Sequence, residues 1–322
     1  MAPKVLVIGS TGQVGSELLP LLSTRYGASK VVAGVFGPET ERASIEDPKE
    51  FFDVTDRAAL ESVVGRHGID TVYHLGGVLS AAGERDPGLA WRINMQGLKN
   101  VLDVSVASKV NRVFWPSSIA VYGPDAPRKN APQNAPLNPT SMYGITKAAG
   151  ELLCNYYFRR FGLDCRVLRY PGLISSKTPP GGGTTDYAVA IFYAAVRGEV
   201  YTCFVSKDTV LPMMYMPDAL EATLMLMEAD PRRVSSHAGY NLAATSFSAG
   251  ELYAEIRRYI PSFRCVFSPD SRQKVADSWP ESIDDSEARM DWGWSHKYDL
   301  ESMTRDMIEK LDARLGEVQK GR

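Results

Sequence analysis

The stretch KVLVIGSTGQVG, residues 4–15, decides the fold of this chain of 322 residues. Its apolar run up to Gly9 predicts a buried β-strand, and a helical pattern begins after Gly12. Glycines in such a turn permit a tight backbone, close approach to a ligand, and packing of the helix on the strand. The helix N-terminus offers free N–H groups and a partial positive charge, which favour a pyrophosphate. We therefore predict that Gly9–Gly15 binds a dinucleotide.

Strand and helix patterns alternate along the first 170 residues. The predicted strands are Lys4–Gly9, Lys30–Phe36, Glu50–Val54, Asp70–Leu75, Arg112–Ser117 and Leu163–Tyr170. The predicted helices are Gln13–Tyr26, Asp56–His67, Ala90–Ser108 and Tyr143–Phe161. Strands joined by helices form βαβ units and a parallel sheet covered on both faces. The expected fold class is α/β, a Rossmann-type doubly wound parallel sheet with a smaller mixed C-terminal lobe.

The pattern becomes mixed from about Ser175 onward. Helices are expected near Tyr187–Val196, Asp218–Met227 and Ala249–Tyr259. We predict a dinucleotide-binding domain over residues 1–174 and a mainly substrate-binding lobe over residues 175–322, with some segments returning to the first domain. Residues 123–139 contain five prolines, which exclude regular structure. This segment is either a loop packed over the substrate region or a solvated surface loop.

Composition excludes several classes of function. A net charge of −2 gives no electrostatic reason to expect a nucleic-acid or acidic membrane partner. No apolar run has the length of a spanning helix, and the first residues lack the pattern of a cleavable leader. The expectation is a cytoplasmic protein, with the mitochondrial matrix as the alternative for a processed eukaryotic enzyme. The scattered cysteines and histidines predict reduced thiols and no metal site.

The end of the second predicted strand departs from the usual dinucleotide pattern. An acidic residue normally binds the ribose there, but the nearest acids are Glu39 and Glu41. No Arg or Lys stands beside this strand end for a 2′-phosphate, so NAD is expected and NADP stays open. Asp53 ends the third strand and is a candidate acceptor for the adenine amino group; its alternative role is a helix cap, which Asp56 or Thr55 fills better.

A phenol and an ammonium form the core of the predicted catalytic centre. Tyr143 and Lys147 stand four residues apart in YGITK, so a helix places both on one face. A cation beside the phenol, with the charge of an oxidised nicotinamide, favours the phenolate. The phenolate can then take a hydroxyl proton while hydride leaves to the nicotinamide. Ser118 follows the fifth strand, at the carboxyl edge of the sheet where ligands bind, and can hold the substrate oxygen.

The motifs GSTGQVG, HLGG, PSSIAVYG and YGITK occur in the order found in the extended short-chain dehydrogenase/reductase superfamily, and the chain resembles that superfamily along nearly its whole length. The resemblance implies that Ser118, Tyr143 and Lys147 are the catalytic residues and that Asn94 is a structural or proton-relay asparagine. The complete set of predicted cofactor contacts is Gly9, Thr11, Gly12, Gln13, Val14, Asp53, Val54, Leu75, Gly76, Gly77, Asn94, Tyr143, Lys147, Tyr170 and Pro171.

Three further segments are most similar to the short-chain-type L-threonine 3-dehydrogenases: residues 116–124, 169–192 and 211–223. This resemblance implies oxidation of L-threonine to 2-amino-3-oxobutanoate in a homodimer, with Thr184, Asp186 and Ser80 contacting the substrate beside Ser118 and Tyr143. A zwitterionic amino acid needs an anion for its ammonium, which Asp186 can supply, and donors for its carboxylate. The alternative is that residues 184–186 only cap the following helix.

Two other functions stay open at this point. A nucleotide-sugar epimerase or dehydratase would need basic residues for the diphosphate, and Arg166 and Arg169 are candidates, although Arg169 can equally pair within the fold. A non-catalytic NAD(P)-binding redox regulator is the second alternative, but such proteins generally lack the complete Tyr/Lys pair. The methionines near residue 214 and the tryptophans Trp292 and Trp294 are interpreted as packing residues.

Overall fold

A seven-stranded parallel sheet forms the centre of the protein in the computed structural model, which describes residues 2–37 and 48–320. Its strands are β1 (Val5–Ile8), β2 (Val31–Val35), β3 (Lys49–Phe51), β4 (Thr71–His74), β5 (Arg112–Ser118), β6 (Asp164–Tyr170) and β10 (Tyr240–Asn241). They are ordered β3-β2-β1-β4-β5-β6-β10, and all neighbours pair in parallel. The predicted Rossmann-type sheet is thus confirmed.

The helices of the described residues belong in part to the central sheet and in part to the smaller lobe. They are α1 (Gly15–Tyr26), α2 (Arg57–His67), α3 (Ser80–Arg85), α4 (Pro87–Trp91), α5 (Gly97–Ala107), α6 (Met142–Phe161), α7 (Tyr187–Arg197), α8 (Met216–Glu228), α9 (Ala249–Tyr259), α10 (Arg272–Asp277), α11 (Ser286–Trp292) and α12 (Leu300–Lys320). Alternation along β1 directs Val5 and Val7 to a core shared with α1 and α8, and Leu6 and Ile8 to a core shared with α2, α5 and α6. The sheet is therefore doubly wound.

The remaining strands belong to the smaller lobe. A three-stranded sheet contains β7 (Gly172–Ile174), β9 (Val210–Tyr215) and β11 (Thr245–Ser248), and β8 (Tyr201–Cys203) pairs with β12 (Cys265–Phe267). Apolar side chains of α7, α9 and α12 form the core of this lobe. Within this part of the chain, β10 pairs with β6 of the large sheet and α8 packs on that sheet. The division into two domains after residue 174 stays a prediction.

Two segments differ from a simple reading of the sequence. The helix predicted over Ala90–Ser108 is divided into α4, a π-helical turn at Arg92–Gln96, and α5. Residues 123–139 form a loop, but Ala131 is fully buried and pairs with Ile283 of the smaller lobe. This loop is therefore packed rather than solvated.

No helix within the described part of the chain is long and apolar enough to cross a membrane. Nor do three or more His, Cys, Asp or Glu side chains among those residues come together in a way that would hold a metal ion.

Candidate active site

The glycine-rich turn between β1 and α1 is close-packed at two of its three glycines. Gly9 has φ of +80°, and a Cβ there would lie 2.6 Å from the backbone nitrogen of Gly76. A Cβ at Gly15 would lie 2.2 Å from the carbonyl oxygen of Gly9, so α1 could not pack on β1. At Gly12 the nearest atom is 3.3 Å away, and this residue faces a cleft. The turn leaves room there for a ligand to approach the backbone.

A cleft of about 1100 Å³ opens at the carboxyl edge of the central sheet. The α1 turn, the end of β4, the end of β5 and the start of α6 form its walls, together with the loop that precedes α7. The predicted cofactor contacts on these walls are Gly9, Gly12, Gln13, Val14, Leu75, Gly77, Tyr143, Lys147, Tyr170 and Pro171. Thr11 and Asn94 do not line it.

A second cavity of about 830 Å³ adjoins the cleft and shares Gly9 and Gly77 with it. Three more predicted contacts lie on its wall: Asp53, Val54 and Gly76. The sequence analysis missed other residues of this wall, among them Phe52, Leu89, Arg92 and Ile93. Glu39 and Glu41, the nearest acids to the end of β2, lie outside the described residues.

Asp53 takes part in a turn while it also lines the second cavity. Its Oδ1 accepts hydrogen bonds from the backbone nitrogen and the hydroxyl of Thr55, each at 2.8 Å. The cap of α2 is Asp56, which accepts from Ala59 at 3.1 Å, as the sequence suggested. Asp53 is therefore not the helix cap, and its side chain borders the space proposed for adenine.

The two cavities fit a dinucleotide. The side-chain nitrogen Nε2 of Gln13 is buried on the cleft wall and has no hydrogen-bond partner among the described residues. Leaving a buried amide unpaired is costly, so an acceptor arriving from the cleft would satisfy it. A pyrophosphate lying on Gly12–Val14 at the start of α1 would be such an acceptor.

The start of α6 lies directly against the turn that follows β5. Ser141 caps the helix by accepting a hydrogen bond from Gly144 at 3.1 Å. A Cβ on Gly144 would lie 2.2 Å from the carbonyl oxygen of Ala120, so this contact requires glycine. The close approach brings Tyr143 within hydrogen-bonding reach of the Ser118 hydroxyl.

Lys147 lies one helical turn after Tyr143 and is buried. Its Nζ donates to the carbonyl oxygen of Pro116 at 2.6 Å and lies 4.4 Å from the centre of the Trp115 ring. The same atom is 5.5 Å from the centre of the Tyr143 ring. Burial lowers the pKa of Lys147 to about 7, against a smaller opposing effect of Cys154 and Glu151. Its ammonium can therefore lose a proton near neutral pH.

Burial dominates the pKa of Tyr143 in the protein alone. It raises this pKa to about 12, and the hydrogen bond with Ser118 opposes the rise only in part. In the protein alone, Tyr143 therefore stays protonated at neutral pH. The expectation of a phenolate included the charge of an oxidised nicotinamide beside Lys147, and it stays a prediction for the protein with its cofactor.

The predicted substrate contacts Ser80, Thr184 and Asp186 all line the cleft. Ser80 begins α3 and Thr184 precedes α7, and their hydroxyl oxygens lie 3.3 Å apart on the cleft wall. Asp186 lines the same cleft, and its Oδ2 accepts from the backbone nitrogens of Gly182 at 2.6 Å and Gly183 at 2.8 Å. The carboxylate folds back on its own loop and does not cap α7. Its Oδ1 accepts no hydrogen bond from the described residues.

The profile of the NAD dependent epimerase/dehydratase family matches residues 5–243. The chain belongs to this family. It is also 44% identical over 311 residues to an uncharacterized epimerase/dehydratase of Staphylococcus haemolyticus, covering 96% of this chain and 98% of that protein. The family description gives NAD as the cofactor, and the two cavities have room for a dinucleotide.

Two solved structures extend this assignment. The GalE-like L-threonine dehydrogenase of Cupriavidus necator, in its holo form, is 50% identical with a TM-score of 0.93, covering 96% of this chain and 100% of that one. A monomeric L-threonine 3-dehydrogenase of metagenomic origin is 46% identical with a TM-score of 0.93, covering 96% and 99%. This member of the family is an NAD-dependent oxidoreductase, and it is similar to L-threonine 3-dehydrogenases, as its motifs indicated.

Asn94 supports the site from behind its wall. Its Oδ1 accepts from the backbone nitrogen of Val78 at 2.7 Å, and its Nδ2 donates to the Val78 carbonyl and to Thr146, each at 3.1 Å. It therefore ties the segment after β4 to α6, three residues beyond Tyr143. The resemblance implied a structural or a proton-relay role, and these hydrogen bonds favour the structural one; Asn94 lines neither cavity, so its predicted contact with the cofactor stays a prediction.

The two arginines that were candidates for binding a nucleotide diphosphate form ion pairs within the fold instead. Arg169 forms a two-point ion pair with Glu151, with both distances 2.8 Å, and also donates to Tyr122. Arg166 donates to Asp164 and to backbone carbonyls at the end of α8. Both side chains are buried, and neither lines the cleft. Among the described residues on the cleft wall, the basic one is Lys147.

Trp279 is a wall residue that the sequence analysis did not foresee. It lies between α10 and α11, is buried, and lines the cleft with Thr184 and Asp186. No local pattern around Trp279 distinguishes it from a packing residue, because its place depends on a segment far away in the chain. Trp292 and Trp294, interpreted as packing residues, are buried in the core beside α8.

Proposed function

We propose that this protein is an L-threonine 3-dehydrogenase. The reaction converts L-threonine and NAD⁺ into 2-amino-3-oxobutanoate, NADH and a proton. The observation that carries the proposal is that one cleft contains both the predicted catalytic side chains and the predicted substrate-binding side chains. Ser118 and Tyr143 line this cleft, and so do Ser80, Thr184 and Asp186. The solved structures named above support the same reaction.

The charges around the cleft suit an amino acid better than a nucleotide sugar. Asp186 has a free carboxylate oxygen for an ammonium group, and the hydroxyls of Ser80 and Thr184 are donors for a carboxylate. A diphosphate would need several cations, whereas Arg166 and Arg169 are buried in ion pairs away from the cleft. This difference favours threonine over the epimerase or dehydratase alternative.

Ser118 and Tyr143 would handle the substrate hydroxyl. Ser118 holds the oxygen on C3 by a hydrogen bond, and the Tyr143 oxygen takes the hydroxyl proton as the C3–O bond becomes a carbonyl. The hydride from C3 leaves at the same time. NAD⁺, when bound, supplies the acceptor for that hydride and a positive ring charge. Residues of the α1 turn and the Asp53 cavity would hold it.

Tyr143 must lose its own proton before it can act as a base. Burial raises its pKa, so a nearby positive charge is needed to lower it again. Lys147 Nζ lies 5.5 Å from the centre of the Tyr143 ring, and its ammonium, together with the charge of an oxidised nicotinamide, would lower the pKa of the phenol. The hydrogen bond of Nζ to the Pro116 carbonyl fixes its position beside Tyr143.

The test is absorbance at 340 nm during incubation of the purified protein with NAD⁺ and L-threonine. We expect steady formation of NADH, and a loss of about 10²-fold or more in Tyr143→Phe, because its general base is removed. NAD⁺ binding to the variant, measured by calorimetry, serves as the control for folding. Turnover of UDP-glucose with no NADH from threonine would support the epimerase alternative. A wild-type protein that binds NAD⁺ yet turns over neither substrate would support the regulator instead.

We also propose a homodimer formed through α6. Three apolar side chains on this helix, Ile145, Leu152 and Tyr156, are 41%, 65% and 53% exposed. Large apolar groups repeating along one helix favour contact with a second copy. One of the solved neighbours is monomeric, so the oligomeric state of this chain has to be measured.

A further inference from the structure

Trp279 brings the smaller lobe to the wall of the cleft. It follows α10 and shares the cleft wall with Ser118, Tyr143 and Thr184. Only 5% of its surface is exposed, although it stands in a segment without helix or strand. The indole of Trp279 carries one N–H donor but no group that could take up or release the reacting proton, and most of its surface is apolar.

Packing holds the indole of Trp279 firmly. It belongs to the core of the smaller lobe, and the same apolar cluster contains Ile119, which also lines the cleft. Buried side chains in a close-packed core do not shift without cost. The Trp279 ring is therefore a rigid part of the cleft wall.

Arg128, in the proline-rich loop, holds the backbone around Trp279. Its guanidinium donates to the carbonyl oxygens of Asp277 and Trp279, the latter at 3.0 Å, and to the Glu281 side chain at 3.1 Å. In return, the Glu281 backbone nitrogen donates to the Arg128 carbonyl at 2.6 Å. These contacts join residues 123–139 to the segment on both sides of Trp279.

The proposed substrate has one apolar group that needs a wall. Asp186, Ser80 and Thr184 account for the ammonium and carboxylate of L-threonine, and Ser118 and Tyr143 account for its hydroxyl. The methyl group on C3 is left, and an apolar surface must bound it. Trp279 offers a large, fixed apolar surface on the cleft wall.

We infer that Trp279 is a specificity-determining residue, whose ring limits the size of the group on C3, and that Arg128 sets its position. The inference rests on the proposed function and adds to it the class of 2-amino-3-hydroxy acids that the site accepts. The proline-rich loop then acts on the site through Trp279 and not by covering the substrate itself.

The test compares L-threonine with the 2-amino-3-hydroxypentanoic acid of the same configuration, which is one methylene longer. NADH formation gives kcat and KM for both substrates in the wild type, in Trp279→Ala and in Trp279→Phe. A methylene in a tight pocket changes selectivity by roughly 10- to 200-fold. We therefore expect the kcat/KM ratio of the longer substrate to threonine to rise at least about tenfold in Trp279→Ala and less in Trp279→Phe.

Arg128→Ala tests the positioning role. We expect the same ratio to rise in this variant, with a larger change in KM than in kcat, because Trp279 becomes less fixed. Arg258→Ala is the matched control, since Arg258 is an exposed arginine of the same lobe whose ion pairs involve Glu255 and Glu301. It should leave the ratio unchanged. NAD⁺ binding in every variant checks that the fold is intact.

Three outcomes separate this inference from the proposed function. If the wild type oxidises threonine and Trp279→Ala loses both substrates equally, Trp279 is only structural and the inference is wrong. An unchanged ratio in Trp279→Ala has the same meaning, and the proposed function stands in both cases. If the wild type binds NAD⁺ but oxidises neither amino acid, both the proposed function and the inference are overturned.

Discussion

At the scale of single residues, His74 is the least satisfied group near the site. Its imidazole is fully buried at the end of β4, and neither ring nitrogen has a hydrogen-bond partner among the described residues. Burial, helped by the charge of Lys147, lowers the pKa of His74 to about 3. A histidine in an unfolded chain titrates near pH 6.5, so the unfolded state takes up protons before the folded state does.

His74→Leu should change how stability depends on pH. The folded-state pKa is the lower one, so stability is fully present above about pH 6.5 and is lost as the pH falls toward 3. Between pH 7 and pH 5, we expect the wild type to lose on the order of 2 kcal/mol more unfolding free energy than His74→Leu. Urea unfolding at both pH values measures the difference. Equal losses in the two proteins would contradict the assigned pKa.

Local sequence patterns point to some residues of the candidate site and miss others. Ser118, Tyr143 and Lys147 follow from local spacing on β5 and α6, because a strand end and one helical turn fix where such side chains lie. Their protonation was harder to predict, since burial acts on Tyr143 through the whole fold. Trp279 escaped prediction because its position depends on Arg128, which is distant in sequence.

At the scale of elements, the packing of α6 on β5 positions the catalytic side chains. A Cβ on Gly150 would lie 2.2 Å from the Trp115 ring. Gly150→Ala should therefore lower the free energy of unfolding by about 1–3 kcal/mol through overpacking. Gly65→Ala is the matched control, because Gly65 lies in α2 with no atom within 4 Å of such a Cβ.

The free energy of unfolding of the control variant should change in the opposite direction. Alanine is the better helix former, so Gly65→Ala should raise the free energy of unfolding by about 0.5–1 kcal/mol. Urea unfolding measures both variants under the same conditions. If Gly150→Ala is as stable as Gly65→Ala, the result contradicts the close packing of α6 on β5 described above.

Element boundaries were predictable where the signal is local. The capping box of Ser248 and Glu251 begins α9 at the residue expected, and Asp56 begins α2. The π-helical turn between α4 and α5 was not predictable from the pattern of residues 90–108. Asn94 lies in this turn and forms hydrogen bonds with Val78 and Thr146. Because both partners are distant in sequence, the local pattern does not reveal where the helix changes to the π-helical form.

At the scale of the whole molecule, the exposed apolar side chains of α6 lead to a prediction about assembly. We expect the wild type to sediment as two chains and Leu152→Glu to sediment as one, because a charge would be buried in the interface. Met290→Glu is the matched control, since Met290 is a similarly exposed apolar residue outside α6. It should not change the mass. A wild type that sediments as one chain would contradict the proposed homodimer.

The sequence predicted the large sheet more completely than the smaller lobe. The sheet follows from alternating strands and helices, since parallel strands need a crossover between them. The smaller lobe mixes short strands from distant segments, such as β7 with β9 and β8 with β12, so local patterns do not define their partners. The return of β10 to β6 likewise depends on contacts made only after the chain has folded.

The central claim is that hydride leaves C3 of L-threonine for NAD⁺ with Tyr143 as the base. The most direct measurement is mass spectrometry of the NADH formed from L-threonine deuterated at C3. The account predicts that each NADH carries one deuterium and that Tyr143→Phe forms almost none, although it still binds NAD⁺. NADH without deuterium, or no NADH from a wild-type protein that binds NAD⁺, would contradict it.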